Sequence, residues 1–302
     1  GGACGVDFFL ILSGFVMSAG YEMKVVSSQF SYRSFMLKRL IRVYPLHLLC
    51  LIGFIIIALI SAAPVSYRCL IPNLLLLQSW FPMQSVYFSG NAVSWCLSDL
   101  LFFYSVFPLL IWLLRYKRKL TIGVMSVLIA GYFFSINFLP DKWVHFGVYI
   151  FPMARLIDFF IGILLWQIIS TDMISRLRAK ASNLSFMSKT LIEMLPLALL
   201  AMMICFYPRV PMIYSYCSYW WLPMIAIIAI LTLFNKMGGI SLLLNKRWLV
   251  SFGNFSFSFY MVHQLCIRVI LPIIGRFGAE VPEFISLILT LLMTIAILSL
   301  IH

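Results

Sequence analysis

The stretch R-V-Y-P-L-H-L-L-C-L-I-G-F-I-I-I-A-L-I-S-A, residues 42–62, carries no charged side chain after its first residue. A transmembrane helix needs about 17–25 mainly apolar residues, because each residue adds about 1.5 Å and the hydrocarbon layer is roughly 30 Å thick. Windows of this kind recur along the chain at residues 6–23, 42–62, 95–114, 121–139, 147–169, 190–207, 219–234, 255–275 and 283–301. The sequence therefore predicts an all-α fold, a polytopic transmembrane bundle with nine spans.

The composition agrees with a membrane protein. Hydrophobic residues make up 63% of the 302 residues and charged residues only 10%, whereas a soluble domain carries about 25% charged residues. The net charge of +13 would suggest nucleic acid as a partner of a soluble protein. Here the basic residues fall in short segments between apolar windows, so we expect the lipid bilayer as a partner and no nucleic acid.

The distribution of Lys and Arg predicts the orientation. Residues 70–80 form a further apolar run, but it is too short to cross and contains Pro72 and Asn73, so we interpret it as interfacial or re-entrant. With the remaining windows alternating, sixteen Lys and Arg residues fall on one face and five on the other. The positive-inside rule makes the basic face cytoplasmic. The expected location is the inner membrane of a bacterial cell.

The same topology places residue 1 on the outer face. Because no signal peptide precedes it, we expect an earlier helix and interpret residues 1–302 as one N-terminally truncated domain with nine of about ten spans. The seven cysteines show no metal-ligand spacing, so we expect no metal. No cofactor is expected either. A Cys69–Cys217 pair remains open, with free thiols the favoured interpretation.

Ionisable groups within the spans are candidate functional residues, since each is expensive in lipid unless it is paired or hydrated. Arg155 and Asp158 share a helix face at an i,i+3 spacing, and Asp7 opens the first window. We predict that Arg155 pairs with Asp158 or Asp7. The pair serves as a structural neutralisation, a functional site or both.

His263 and Asp99 also lie within predicted spans. The structural alternative for His263 is a hydrogen bond between helices, with Tyr260 and Gln264 as neighbours. The alternative for Asp99 is a polar helix start. For His47, near the cytoplasmic edge, an interfacial position is favoured.

Arg39 and Arg42 share a face of the run K-R-L-I-R-V-Y-P, residues 38–45. They are either positive-inside anchors or a clamp for phosphates, because guanidinium forks suit phosphate oxygens. Only the cytoplasmic face meets nucleotides and acyl-coenzyme A.

Five runs in order resemble a known family. They are G-V-D-F-F-L-I-L-S-G-F at residues 5–15, K-R-L-I-R-V-Y-P at 38–45, S-W-C-L-S-D-L-L-F-F-Y-S-V-F-P at 94–108, R-L-I-D-F-F-I-G-I-L-L at 155–165 and F-G-N-F-S-F-S-F-Y-M-V-H at 252–263. Together they are similar to the motifs of the acyltransferase-3 family of integral membrane O-acyltransferases, and the resemblance covers essentially the whole chain.

This resemblance implies transfer of an acyl group, most often acetyl, from cytoplasmic acyl-coenzyme A to a hydroxyl of a cell-surface sugar or glycolipid, as in the O-acetylation of exopolysaccharide or lipopolysaccharide. The coenzyme is a donor substrate. The implied site residues are His263, Asp99 and Arg155 for catalysis, Arg39 and Arg42 for acyl-coenzyme A, and Asp7, Trp95, Tyr104 and Asp158 as further lining of a polar cavity. Arg155 or the Trp95 indole would contribute to oxyanion stabilisation.

Two departures from the family pattern stand out. The family's first helix carries a histidine central to catalysis, which would precede Gly1, so we expect this 302-residue chain to be inactive by itself. The family's glutamate after S-W-x-L-S would fall at Leu100, one position after Asp99. One residue rotates a side chain by about 100° around the helix, so an adapted or altered site remains open.

Two other functions remain open. A transporter or flippase of lipid-linked sugars also places charged side chains within its spans, although the internal repeat common in transporters is not evident in this sequence. A non-catalytic relative is the third interpretation. Acyl-coenzyme A binding and product formation would separate an enzyme from both.

Overall fold

The computed structural model describes residues 2–27, 30–62, 66–210, 217–276 and 289–295, and within these ranges it contains helices and no strand. Thirteen α-helices with named bounds occur in the described ranges. They are α1 Gly2–Val26, α2 Tyr32–Ile60, α3 Tyr67–Leu74, α4 Gln84–Tyr87, α5 Trp95–Tyr116, α6 Arg118–Phe138, α7 Asp141–Val144, α8 Pro152–Ile169, α9 Asp172–Ser182, α10 Phe186–Phe206, α11 Cys217–Leu233, α12 Gly239–Leu244 and α13 Arg247–Arg276. The all-α prediction is confirmed.

Six helical segments among the described residues are long and apolar enough to cross a membrane. They are Gly2–Val26, Tyr32–Ile60, Ala92–Tyr116, Arg118–Phe138, Lys142–Ile169 and Phe186–Arg209. These six match the first six predicted windows, so the chain is a multi-pass membrane protein. The seventh window is a shorter apolar helix, Ser218–Leu233. The eighth lies within α13, and most of the ninth, residues 283–301, lies outside the described residues.

Helix α2 begins well before the predicted window at residue 42. It starts at Tyr32, so the basic residues assigned to a loop extend the helix instead. The extension contains good helix formers such as Leu37 and Lys38. Pro45 lies inside the helix without ending it, as transmembrane helices often allow.

The span that carries Arg155 is broken rather than continuous. A π-helical turn, His145–Ile150, ends at Phe151, whose backbone is extended (φ −65°, ψ 124°). Pro152 follows as the first residue of α8, and proline disfavours helical geometry in the residue before it. Arg155 therefore lies in the first turn of a new helix, near the middle of the span Lys142–Ile169, as predicted.

The chain forms two compact units, Gly1–Arg33 with Phe102–Leu249, and Ser34–Leu101 with Val250–His302. The interpretation as a single domain stays a prediction. In the first unit, a core cluster joins α1, α8 and α11. Its buried members are Ile11, Phe15, Leu165, Trp220, Met224 and Ile228.

Two glycines allow α1 and α8 to approach each other closely. A Cβ on Gly14 would overlap the carbonyl of Phe159, and a Cβ on Gly162 would overlap the carbonyl of Ile11. Small residues permit this backbone contact between transmembrane helices. Since Gly14 faces the turn of Gly162 while Asp7 contacts Arg155, the two helices run parallel. The prediction that the first and fifth windows share a direction agrees with this geometry.

In the second unit, residues 66–94 replace a span by short pieces. Helix α3 has eight residues and α4 has four, with 3₁₀ turns at Gln78–Trp80 and Ala92–Ser94. None of these pieces is long enough to cross a bilayer, which agrees with the non-crossing interpretation of residues 70–80. Gly90 turns the chain with φ +62°, and a Cβ there would lie 2.7 Å from a methyl of Leu51.

Candidate functional site

Arg155 is the centre of a buried ion cluster in the first unit. Its Nη2 lies 2.5 Å from Oδ1 of Asp7, and its Nη1 lies 2.9 Å from Oδ2 of Asp158. All three side chains are buried, with 0–1% of their surface exposed. The prediction that Arg155 pairs with Asp7 or Asp158 is confirmed, and both carboxylates contribute.

Aromatic groups complete the cluster. The indole N–H of Trp221 donates to Oδ1 of Asp158 at 2.5 Å, and the ring of Tyr149 lies 5.5 Å from the guanidinium carbon of Arg155. When all three charged groups are ionised, the cluster carries one positive and two negative charges. A cluster with this net charge is poorly suited to stabilise an oxyanion, which favours a structural role over a catalytic one.

His263 lies in α13, in the second unit, and is half-buried. Its Nδ1 is 2.6 Å from the carbonyl oxygen of Tyr260, and its ring stacks on Phe259 at 6.2 Å. Because a carbonyl only accepts, Nδ1 is the donor and the neutral ring keeps a lone pair on Nε2. The hydrogen bond is within one helix, so the predicted interhelical bond of His263 is not the one observed.

Asp99 lies in the second turn of α5 and is fully buried, as is Leu100 beside it. Trp95, which starts the same helix, is 3% exposed. Tyr104 is half-buried further along α5, in the part that belongs to the first unit. The structure gives Asp99 and Trp95 to the second unit, with His263, and gives Arg155, Asp7 and Asp158 to the first.

Arg39 and Arg42 differ in their surroundings. Arg39 is half-buried, with its guanidinium 5.6 Å from the centroid of the Phe35 ring, whereas Arg42 is exposed. Their joint role as a phosphate clamp stays a prediction.

The family of the chain follows from a sequence comparison. The family model described as an acyltransferase domain, Acyl_transf_3, matches residues 1–302. The chain belongs to the acyltransferase-3 family. A protein named Acyltransferase MdmB from Streptomyces mycarofaciens is 28% identical over 290 residues, which cover 88% of this chain and 68% of that protein. No solved structure matches the chain significantly.

Two motifs of this membrane acyltransferase meet at the crossing of α1 and α8. The run at residues 5–15 supplies Asp7 and Gly14, and the run at residues 155–165 supplies Arg155 and Gly162. In each run the charged residue precedes the glycine by seven positions, about two helical turns. The glycine contact therefore sets the register that brings Asp7 to Arg155.

A network of neutral polar side chains in the second unit was not predicted. His47 is fully buried, and its Nε2 donates to the carbonyl of Asn73 at 3.0 Å. Its predicted interfacial position stays a prediction. Asn73 donates to the carbonyl of Ser89 at 2.6 Å and to Oγ of Ser94 at 3.2 Å. Gln78 donates to the carbonyl of Ser94 at 2.8 Å.

This network serves the irregular backbone of residues 66–94. Non-helical backbone at membrane depth is stable only where protein or water satisfies its polar groups, and here side chains donate to the carbonyls that helices leave open. Polar residues recurring inside an apolar run were the signal in the sequence.

Glu193 is a buried carboxylate that sequence reasoning also missed. It lies in α10, is 0% exposed, and accepts from the backbone N–H of Ile240 at 2.8 Å. Thr190 accepts from the N–H of Gly239 at 2.9 Å. Together they cap the start of α12, a structural role that fits a carboxylate at a helix N-terminus.

Among the described residues, no group of three or more His, Cys, Asp or Glu side chains is arranged to hold a metal ion.

Proposed function

We propose that this acyltransferase moves an acyl group, most often acetyl, from acyl-coenzyme A to a hydroxyl of a cell-surface sugar or glycolipid in a bacterial inner membrane. Membership of the family over residues 1–302 supports acyl transfer. The excess of basic residues on one predicted face supports a cytoplasmic donor.

The observation that carries the proposal for this chain is the hydrogen bond between His263 and the carbonyl of Tyr260. It fixes the tautomer in which Nε2 accepts a proton. In the proposed reaction, Nε2 of His263 takes the proton of the acceptor hydroxyl. At the same time the oxygen of that hydroxyl attacks the thioester carbonyl carbon. The carbon–sulfur bond then breaks, and the proton passes to the coenzyme A thiolate, leaving an ester and a free thiol.

Arg39 and Arg42 are the proposed contacts of the donor phosphates. They lie one helical turn apart in α2, within the predicted basic face. Stacking on Phe35 restricts the guanidinium of Arg39, so less side-chain freedom is lost when it binds a phosphate.

The first experiment tests His263. The protein is reconstituted in liposomes with acetyl-coenzyme A and a glycolipid acceptor, and both acetylated product and free thiol are measured. We expect residues 1–302 by themselves to show no turnover. In the full-length protein we expect His263→Ala to lower kcat by about 10²–10⁴, whereas His145→Ala, a matched change in a half-buried histidine, leaves kcat within about twofold. A wild-type rate in His263→Ala, with folding checked by size-exclusion chromatography, would show that the base lies elsewhere.

The second experiment tests the two arginines. We expect Arg39→Gln/Arg42→Gln to raise KM for acetyl-coenzyme A by about 10–100-fold with a smaller change in kcat, because each lost charge-assisted bond weakens donor binding. Arg33→Gln/Lys38→Gln removes two exposed charges from the same helix and serves as the control. Equal KM values for the two double variants would support the membrane-anchor interpretation.

One observation favours the flippase alternative. The span Lys142–Ile169 is interrupted at Phe151, close to a charged cluster, and discontinuous helices are common in transporters. Movement of a lipid-linked sugar across the liposome membrane without release of coenzyme A thiol would support that function and refute acyl transfer.

A further inference from the structure

A cavity of about 620 Å³ lies at one end of the first unit. Its walls come from the last turns of α1, α5 and α8, the first turns of α6, and the residues just after α8. Three helices thus end and one begins around the same space. This is where a membrane protein built from these helices meets the headgroup layer of a bilayer.

One part of the wall is basic. Arg115 lies in the last turn of α5 and Arg118 is the first residue of α6, and both line the cavity and are exposed. Neither guanidinium has an ion-pair partner within the part of the chain that the structure describes. Each of these two guanidiniums presents a planar fork of N–H donors, a geometry that fits phosphate oxygens.

Another part of the wall is acidic. Glu22 of α1 lines the cavity, and the amide of Gln167 donates to its Oε1 at 3.1 Å. This bond leaves the second carboxylate oxygen for another donor. The cavity therefore offers two positive charges for one anionic group and one negative charge for a cationic group.

The remaining wall is apolar. Ile111 and Leu114 are buried, whereas Ile122 and Ile168 are 43% and 53% exposed. The apolar surface therefore continues from the cavity onto the outer, lipid-facing sides of α6 and α8. An occupant can reach this site from the bilayer with its acyl chains remaining in an apolar environment.

We propose that this cavity binds a phospholipid of the bilayer whose headgroup carries a phosphate and an ammonium group, as in phosphatidylethanolamine. The phosphate binds Arg115 and Arg118, the ammonium binds Glu22, and an acyl chain follows Ile122 and Ile168. Three helices, α1, α5 and α8, end here with their carbonyls and one, α6, begins here with its N–H groups, so the helix dipoles together do not favour a phosphate. The two guanidiniums therefore supply the attraction.

The test measures lipid binding to the full chain in neutral detergent, by native mass spectrometry with added phosphatidylethanolamine. We expect Arg115→Gln/Arg118→Gln to weaken binding by about tenfold or more. Lys117→Gln/Lys119→Gln is the matched control, because it removes two exposed charges of the same segment that do not line the cavity. Equal affinities of the two double variants overturn the proposal.

Further arms identify the ligand chemistry. Diacylglycerol lacks the phosphate and is expected to bind at least about tenfold more weakly, and Glu22→Gln should weaken binding of phosphatidylethanolamine but not of phosphatidylglycerol. Diacylglycerol binding as tightly as phosphatidylethanolamine overturns the phosphate contact, and an unchanged lipid preference in Glu22→Gln overturns the ammonium contact. Inorganic phosphate or coenzyme A binding through the same arginines in place of lipid overturns the membrane origin of the ligand.

Discussion

The two units stabilise their buried polar side chains with different kinds of partner. In the first, a fully ionic set of Arg155, Asp7 and Asp158 ties α1 to α8. In the second, neutral groups of Asn73, Gln78 and His47 bind the backbone of a segment that does not cross. The ion cluster thus occurs where two long helices, α1 and α8, are held in one register. Neutral groups occur where an irregular chain has open carbonyls.

This difference predicts how much stability each unit loses when one buried polar side chain is removed. A buried charge without its partner is far more costly than a neutral group without one. Removing one member of the ion cluster is therefore expected to cause a large loss of stability at the crossing of α1 and α8. The neutral network, with several independent bonds, is expected to weaken by degrees.

The largest loss of stability is expected from a substitution at the glycine contact between α1 and α8, on which the ion pair depends. Gly14→Leu would force a side chain into the carbonyl of Phe159, separating α1 from α8 and breaking the ion pair as well. We expect loss of folded protein, a destabilisation above about 5 kcal/mol, measured as monomer yield on size-exclusion chromatography. Gly20→Leu, in the same helix but with nothing within 4 Å of the added Cβ, should fold normally. A normal yield of Gly14→Leu would show that the crossing is not tight.

The next effect concerns the charges alone. Arg155→Met removes the cation shared by two buried carboxylates, so we expect the free energy of unfolding in mixed detergent micelles to fall by roughly 3–5 kcal/mol. Adding Asp7→Asn and Asp158→Asn to the same protein should recover at least about half of this loss, because the uncompensated charges disappear. If the triple variant is less stable than the single one, the carboxylates stabilise the crossing independently of Arg155.

The smallest effect is expected in the neutral network. Asn73→Ala removes the bonds to Ser89 and Ser94, and we expect a loss of about 1–3 kcal/mol in the same unfolding assay. Gln84→Ala, an exposed side chain of the same unit, should stay within about 0.5 kcal/mol of the wild type. A loss for Asn73→Ala as large as that for Arg155→Met would remove the distinction between the two units.

The long helices and the pairing of Arg155 were predictable from the sequence. Window length decides whether a helix crosses, and the high energy of an unpaired charge in lipid leaves few arrangements for a mid-chain arginine. The break at Phe151 was predictable in principle from Pro152, yet the apolar window continues across it. Hydropathy averages over such local backbone effects.

The other features of the fold and site depend on contacts between residues far apart in the sequence, which a hydropathy window does not detect. The close approach of Gly14 and Gly162 requires knowing which helices are neighbours, and Glu193 binds backbone N–H groups 47 and 48 positions away. The hydrogen bond of His47 was not predictable because its partner is a main-chain carbonyl, which every residue offers. The sequence placed Asp99, Arg155 and His263 correctly within helices, but it left Arg39 outside its predicted window and did not assign the candidates to separate compact units.

The ion pair across α1 and α8 also constrains how the protein is made. Asp7 and Arg155 are 148 residues apart in the chain, so at about 5–20 residues per second the arginine is synthesised roughly 7–30 s after the aspartate. During that interval α1 carries a carboxylate near its start before Arg155 has been synthesised, and such a group is costly in lipid unless it is paired or hydrated. We infer that the Asp7 carboxylate stays hydrated during this interval. The final position of α1 in the bilayer is then reached only after α8 has been inserted and Arg155 pairs with Asp7.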